Sequence, residues 1–236
     1  MKKIISILLL AFTLTTTSNA QALLALIFGK YLSTETFQLG MNLSGSASTI
    51  TGLNNADYRI SWAFGAFGEI KLSQDWFLHL NLTIKTPGGA KNVDAIVPIP
   101  PEVDTLLSSP SITRSYNYVT LPIYIKYKVH SFKFGLGAQL GYLTSADDTY
   151  EAITYAGNDL SVVSDVRGSL NLWDAGLTGI VDYFFVPEKN MKSLRLSLTY
   201  YYGLTDILKD NTGDSWNNTY ILLTLGIPVG GSDDAK

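Results

Sequence analysis

Between Thr36 and Val229 the chain falls into eight short stretches in which apolar residues alternate with small or polar ones. A period of two belongs to β-strands, whose successive side chains point to opposite faces. In the first stretch Phe37, Leu39, Met41 and Leu43 alternate with Gln38, Gly40, Asn42 and Ser44. In the second, Ile60, Trp62, Phe64, Ala66 and Ile70 alternate with Arg59, Ser61, Ala63, Gly65, Glu69 and Lys71; in the third, Trp76, Leu78, Leu80, Leu82 and Ile84 alternate with His79, Asn81, Thr83 and Lys85. The fourth sets Val119, Leu121, Ile123, Ile125 and Tyr127 on one side, and the fifth does the same with Phe132, Phe134, Leu136, Ala138, Leu140 and Tyr142. Roughly ten residues, tilted, cover the ~25 Å apolar band of a bacterial outer membrane. The pattern predicts an all-β fold: an eight-stranded antiparallel transmembrane up-and-down β-barrel over residues 36–229, since only closure lets a sheet satisfy its backbone in lipid. A soluble sandwich alternates too, with its apolar face turned inward, and periodicity alone does not choose between them.

Aromatic and glycine placement favours the barrel. Trp62, Tyr142, Trp173 and Tyr202 fall toward one end of the apolar face, and Trp76, Tyr127, Phe132 and Tyr183 toward the other. Two aromatic girdles at two interfaces are what amphipathic rings prefer. The opposite face carries Gly65, Gly135, Gly137, Gly141 and Gly176 among polar groups. A barrel of about eight strands is just wide enough to be filled by side chains, so small residues make room for Lys, Arg and Tyr opposite them.

Connections alternate short with long. Ser73-Gln74-Asp75, Val129-His130-Ser131 and 186–192 read as periplasmic turns, whereas 45–58, 87–116, 145–168 and 204–218 read as extracellular loops. Both termini are then periplasmic. The longest loop holds Val97-Pro98-Ile99-Pro100-Pro101, a run that stiffens the chain and disfavours pairing. Pro122 lies inside the fourth strand, where a missing N–H demands a bulge or an unpaired carbonyl.

The opening residues supply an address. Lys2 and Lys3, the apolar run Ile4 to Phe12 and the small residues of Ser18-Asn19-Ala20 form a three-part signal peptide, 1–20, with cleavage before Gln21. The alternative, a retained helix joining Ala22-Leu23-Leu24-Ala25-Leu26-Ile27-Phe28, would bury the polar interval Thr15 to Gln21. An N-terminal periplasmic segment, 21–35, follows; Ala22 to Leu32 either packs as a short helix at the barrel mouth or leads into the first strand. A polar tail, 230–236, closes the chain. These features place the protein in the outer membrane of a Gram-negative bacterium, in contact with outer-membrane lipid and inserted by the barrel-assembly machinery.

Composition narrows the field. The chain has no cysteine, so lipobox anchors, disulfides and thiolate metal sites are excluded. A formal net charge of -3 gives no basic footprint for nucleic acid. With 46% hydrophobic residues and no mature segment reaching ~18 consecutive apolar positions, strands rather than helices must span.

Candidate chemistry lies on the inward face. Parity turns Arg59, Lys71, Lys85, Lys126, Lys133 and Arg195 inward, together with His79, Glu69, Asp174 and Asp182, which predicts a network of opposite charges bracing the lumen. Pairing across the Ser73–Asp75 turn sets Glu69 opposite His79, ~10 Å from the periplasmic rim at ~3.4 Å per residue, on the wrong side for outer-leaflet lipid. That favours a structural ion pair over catalysis. Bases outnumber acids, and the surplus is expected to be relieved by water, by tyrosines such as Tyr118, Tyr124 and Tyr201, or by a bound anion. His130 falls in a periplasmic turn. Asp206, Asp210, Asn211, Gly213 and Asp214 offer oxygen ligands, yet their spacing matches no calcium loop. No catalytic residue, metal or cofactor is assigned.

The segments GAFGEIKLSQDWFLHLNLTIKTPGGAK, NYVTLPIYIKYKV, FGLGAQLGYLTSA and YYYGLTDI, taken in order, resemble the PorT family of outer-membrane β-barrel proteins, and Leu121-Pro122 resembles an Ile-Pro step usual in that family. The resemblance implies an eight-stranded barrel and, for the founding member, a part in assembling a protein-secretion apparatus. The chain departs from the pattern at Asn81 and Thr120, where relatives often carry lumen carboxylates, and in running past Tyr220 to Ile227 into a polar tail instead of finishing on an aromatic residue. Insertion would then use an internal strand signal. The function expected is non-enzymatic: binding, assembly or envelope structure around a filled lumen. The alternatives are an accessory component of a secretion complex, its partners meeting the polar outer loops or the tail, and a lipid-modifying enzyme.

Overall fold

The structure is a computed structural model that describes residues 34, 36–53, 56–96, 107–154, 159–186, 193–209, 213 and 215–229. The expected signal peptide, Ala22–Leu32, the Val97–Pro101 run, Asp210, Asn211, Asp214 and the polar tail lie outside the described residues. Nine strands are present among those described: β1 (Phe37–Thr51), β2 (Asp57–Lys71), β3 (Trp76–Lys91), β4 (Leu107–Val129), β5 (Phe132–Thr154), β6 (Asp159–Asp165), β7 (Trp173–Phe184), β8 (Arg195–Gly203) and β9 (Asn217–Val229). Eight of them close a ring in the order β1-β2-β3-β4-β5-β7-β8-β9, every neighbour pair antiparallel. The ring shuts where β9 meets β1, from Leu39↔Val229 to Thr51↔Asn217. β6 stands outside it, paired with the far part of β5 from Asp147↔Asp165 to Ile153↔Asp159.

Short links join β2 to β3, β4 to β5 and β7 to β8 at one end, which is also where β1 starts and β9 finishes. The tightest is His130-Ser131, with His130 at φ 54°. At the other end the strands run further than the apolar pattern suggests. β1 continues to Thr51, β3 to Lys91 and β5 to Thr154, so much of what reads as loop at 45–58, 87–116 and 145–168 is strand, and β6 is an addition. The reason is physical: beyond the lipid band a strand no longer needs an apolar face, and its alternation fades although its ladder persists, as β4–β5 does from Asn117↔Ser145 to Leu107↔Thr154.

Burial is inverted relative to a soluble sandwich. Leu136 is 78% exposed on the outer face, while Glu69, Lys126, Lys133 and Asp182 are 0% exposed inside. The β3–β4 ladder lapses between Leu80↔Ile123 and Thr83↔Thr120, the stretch in which Pro122 has no N–H to give, while Pro122 still faces Gln139 of β5. The predicted irregularity at Pro122 is therefore a gap on its β3 side.

The end with long connections is capped. Ile50, Ala90, Ile112, Tyr116, Leu143 and Tyr150 from the strands pack with Val93, Val166, Leu170 and Ile207 from the connections into one buried apolar cluster. An isolated bridge, Leu170↔Leu208, ties two of those connections together. The expectation of simply polar outer loops is corrected here. Their apolar residues occur singly in the sequence, so no period announces them, and they are gathered only by the fold.

Candidate functional site in the barrel interior

Glu69 on β2 is the hub of the interior. Lys133 Nζ on β5 donates to its Oε1, and Arg195 Nη1 on β8 donates to its Oε2 at 3.0 Å. His79 Nδ1 lies 3.3 Å from Oε2, and Lys126 Nζ 3.9 Å from it. Lys126 on β4 donates in turn to Asp182 Oδ2 on β7 at 2.6 Å. The register that sets Glu69 opposite His79 is the one the short turn implies. Six of the ring strands, none of which pairs directly with all the others, thus meet at two carboxylates.

Aromatic rings and glycines shape this cluster. Lys133 Nζ sits 3.5 Å from the centroid of Phe77 and 4.6 Å from that of Phe184, and the Arg195 guanidinium 3.7 Å from that of Phe67. All three phenylalanines are buried. Sequence reasoning passed over them, although parity places them on the charged face; buried aliphatic stems and cation faces call for such neighbours. Small residues make the room: a Cβ on Gly135 would stand 2.7 Å from Lys126 Cγ, and one on Gly226 2.7 Å from Arg195 Cγ.

The remaining inward candidates divide. Asp174 is buried, but its partners are neutral donors, Thr205 Oγ1 at 2.8 Å and Asn218 Nδ2 at 3.0 Å, so it stands apart from the ion cluster. Arg59 is half-buried and donates to the Gly88 carbonyl at 3.1 Å. Lys71 is half-buried at the short-turn rim. Lys85 is a correction: its Nζ lies 4.1 Å from the ring centroid of Trp62, which is exposed on the outer face. A bulge between Phe64↔Lys85 and Gly65↔Thr83 inserts one residue into β3, so parity counted from His79 fails beyond it, and Thr86 rather than Lys85 points inward to bond Thr120.

On the outer face the eight girdle candidates are all exposed. Trp76 and Tyr127 have ring centroids 5.0 Å apart, Phe132 and Tyr183 5.3 Å, and Tyr142 and Trp173 5.0 Å. Trp62 stacks on Phe64 and Tyr202 faces Thr219.

A second buried ion pair lies in the capped end, where only loops were expected. Arg114 Nε and Nη2 each reach Asp148 at 2.7 Å, a bidentate pair with both side chains 0% exposed, and Nη2 also donates to the Asp94 carbonyl at 2.8 Å. Among the described residues no group of three His, Asp or Glu could hold a metal; Asp206 Oδ1 instead accepts from the backbone N–H groups of Leu208 and Trp216.

A closed antiparallel ring with apolar residues outside and charges inside defines the class of outer-membrane β-barrels. Residues 33–209 match the model of the outer membrane protein beta-barrel domain, and the chain belongs to that family. No curated protein matches it. Among solved structures it is similar to Ail, the attachment invasion locus protein of Yersinia pestis, in complex with the heparin analogue sucrose octasulfate (TM-score 0.40, 11% identity, 81% of this chain and 97% of that one). It is also similar to Neisserial surface protein A (0.38, 12%, 81% and 96%) and to the N-terminal β-barrel domain of Pseudomonas aeruginosa OprF (0.30, 11%, 81% and 99%).

Proposed function

We propose that this outer-membrane barrel is a filled, non-conducting one that serves binding, assembly or envelope structure and carries no catalysis. The observation behind this is that the lumen is obstructed at two levels: the Glu69 cluster with its phenylalanines near the short-turn end, and the apolar cap at the other. About eight strands leave space for side chains only, whereas open porins use about sixteen. His79, the histidine nearest to a carboxylate, is 2% exposed, and its partner Glu69 is shared with Lys126, Lys133 and Arg195, which leaves neither group access to a lipid substrate.

In this reading the exposed aromatic pairs mark the two membrane interfaces, the short turns and both termini face the periplasm, and residues 1–20 are the export signal. β4 and β5, with 23 residues each, then stand well beyond the outer girdle. From Tyr142 to Thr154 that is ~40 Å of strand at ~3.4 Å per residue, a projecting sheet on which a partner could be held. The PorT resemblance supports a secretion-complex component as the partner class. Planar-bilayer recording tests the core of the proposal: the folded protein should show no large, stable single-channel conductance, and such a conductance would refute it.

A further inference from the structure

We infer that the interior holds a binding site for one small monatomic anion of the halide class, just beyond the Glu69 cluster and beside Arg195. The charges of the cluster do not balance. Among the described residues, Lys126, Lys133 and Arg195 face only Glu69 and Asp182, and His79 adds nothing if neutral and a further positive charge if protonated. The surplus is at least one positive charge in a space whose members are 0–3% exposed. Uncompensated charge in such surroundings is costly.

A cavity of about 20 Å³ adjoins the cluster. It is lined by Arg195 and His79 together with Asn81, Thr83, Ser197 and Thr199, among others, and by no carboxylate among the described residues. Arg195 is 3% exposed; its Nη1 is spent on Glu69, while Nη2 is buried without a partner. Asn81, opposite the gap that Pro122 leaves in the ladder, also has a buried amide atom without a partner, Oδ1, and its amide can be turned to present either end. Hydroxyls on Thr83, Ser197 and Thr199 can rotate to donate. The space admits an occupant of about water size, which favours a single-atom anion over a phosphate or sulfate. A lining of donors without carboxylates, next to surplus positive charge, selects an anion over a cation. The site stands independently of whether the barrel holds a partner outside.

The test uses the refolded full barrel. Crystals soaked in bromide should show an anomalous peak in this cavity within contact of Arg195. In solution, the temperature at which the heat-modifiable form is lost should rise by several degrees, saturably, with sodium chloride, and not with sodium gluconate at equal ionic strength. Asn81→Asp supplies the negative charge covalently while leaving Arg195 and Glu69 in place; it should remove the bromide peak and raise the chloride needed for half the effect by about tenfold or more. Absence of the bromide peak, equal responses to chloride and gluconate, an unchanged chloride response in Asn81→Asp, or a peak in crystals without stabilisation in solution would each overturn the site.

Discussion

Glu69 and Lys133 are hydrogen-bonded across the lumen although β2 and β5 share no ladder. The bond is a spoke between opposite walls, and Arg195 on β8 supplies another to the same carboxylate. Such ties act against flattening of the ring, which backbone pairing between neighbours does little to resist.

Removing the hub charge should therefore be expensive. Glu69→Gln leaves Lys133 and Arg195 buried without their counter-ion, and breaking one side of a buried pair costs about 3–5 kcal/mol. We expect a clearly lower temperature for loss of the heat-modifiable gel mobility. Glu151→Gln, on the exposed part of β5, should leave that temperature unchanged. Equal behaviour of the two variants would contradict the inward placement of Glu69.

The bulge in β3 makes two lysines that look alike in sequence behave differently. Lys126→Met strands Asp182 in the interior and should cost about 3–5 kcal/mol. Lys85→Met loses a cation–ring contact at an exposed site, about 0.5–1 kcal/mol. Gel-shift melting of both variants under one set of conditions gives the comparison, and a Lys85 variant as damaged as Lys126 would mean that the bulge is absent.

In the capped end, Arg114→Met alone should loosen the cap by leaving Asp148 buried and unpaired, whereas Arg114→Met with Asp148→Leu should largely restore it, since apolar replacement of a whole buried pair is often neutral. Limited proteolysis reports this directly. The single variant should be cut faster in the long connections while the membrane-embedded ring stays intact, and the double variant should return toward the parent rate. A double variant cut as fast as the single one would show that the pair positions the cap in a way packing cannot replace.

How much of this was legible in the sequence depends on the range of each interaction. The period of two and the short turn at Ser73–Asp75 are local, and they suffice to place Glu69 against His79. Lys85 fails because one inserted residue reverses parity while leaving the composition of the strand untouched. The convergence of Lys133, Arg195 and Lys126 on one region depends on stagger around the whole ring, which no pairwise reading of adjacent strands supplies. β6 left a trace in Asp159-Leu160-Ser161-Val162-Val163-Ser164-Asp165, a β-branched run bounded by acids, but the pattern is too short to separate from a loop. Arg114 and Asp148 gave no signal, since a charged residue on a polar strand extension looks like any solvated one.

The seam between β1 and β9 has a temporal consequence. Leu39 through Thr51 can pair with β2 early but with β9 only after residues 217–229 exist, so the longest-range ladder of the molecule is among the last that synthesis permits. Loop-closure entropy must be met before that ladder rewards it, which slows folding. Until then β1 presents an unsatisfied edge, and a chain interrupted anywhere before β9 has two. Assembly is thereby made nearly all-or-none: without β9 both edges stay open, and a product in that state has no stable resting place in lipid.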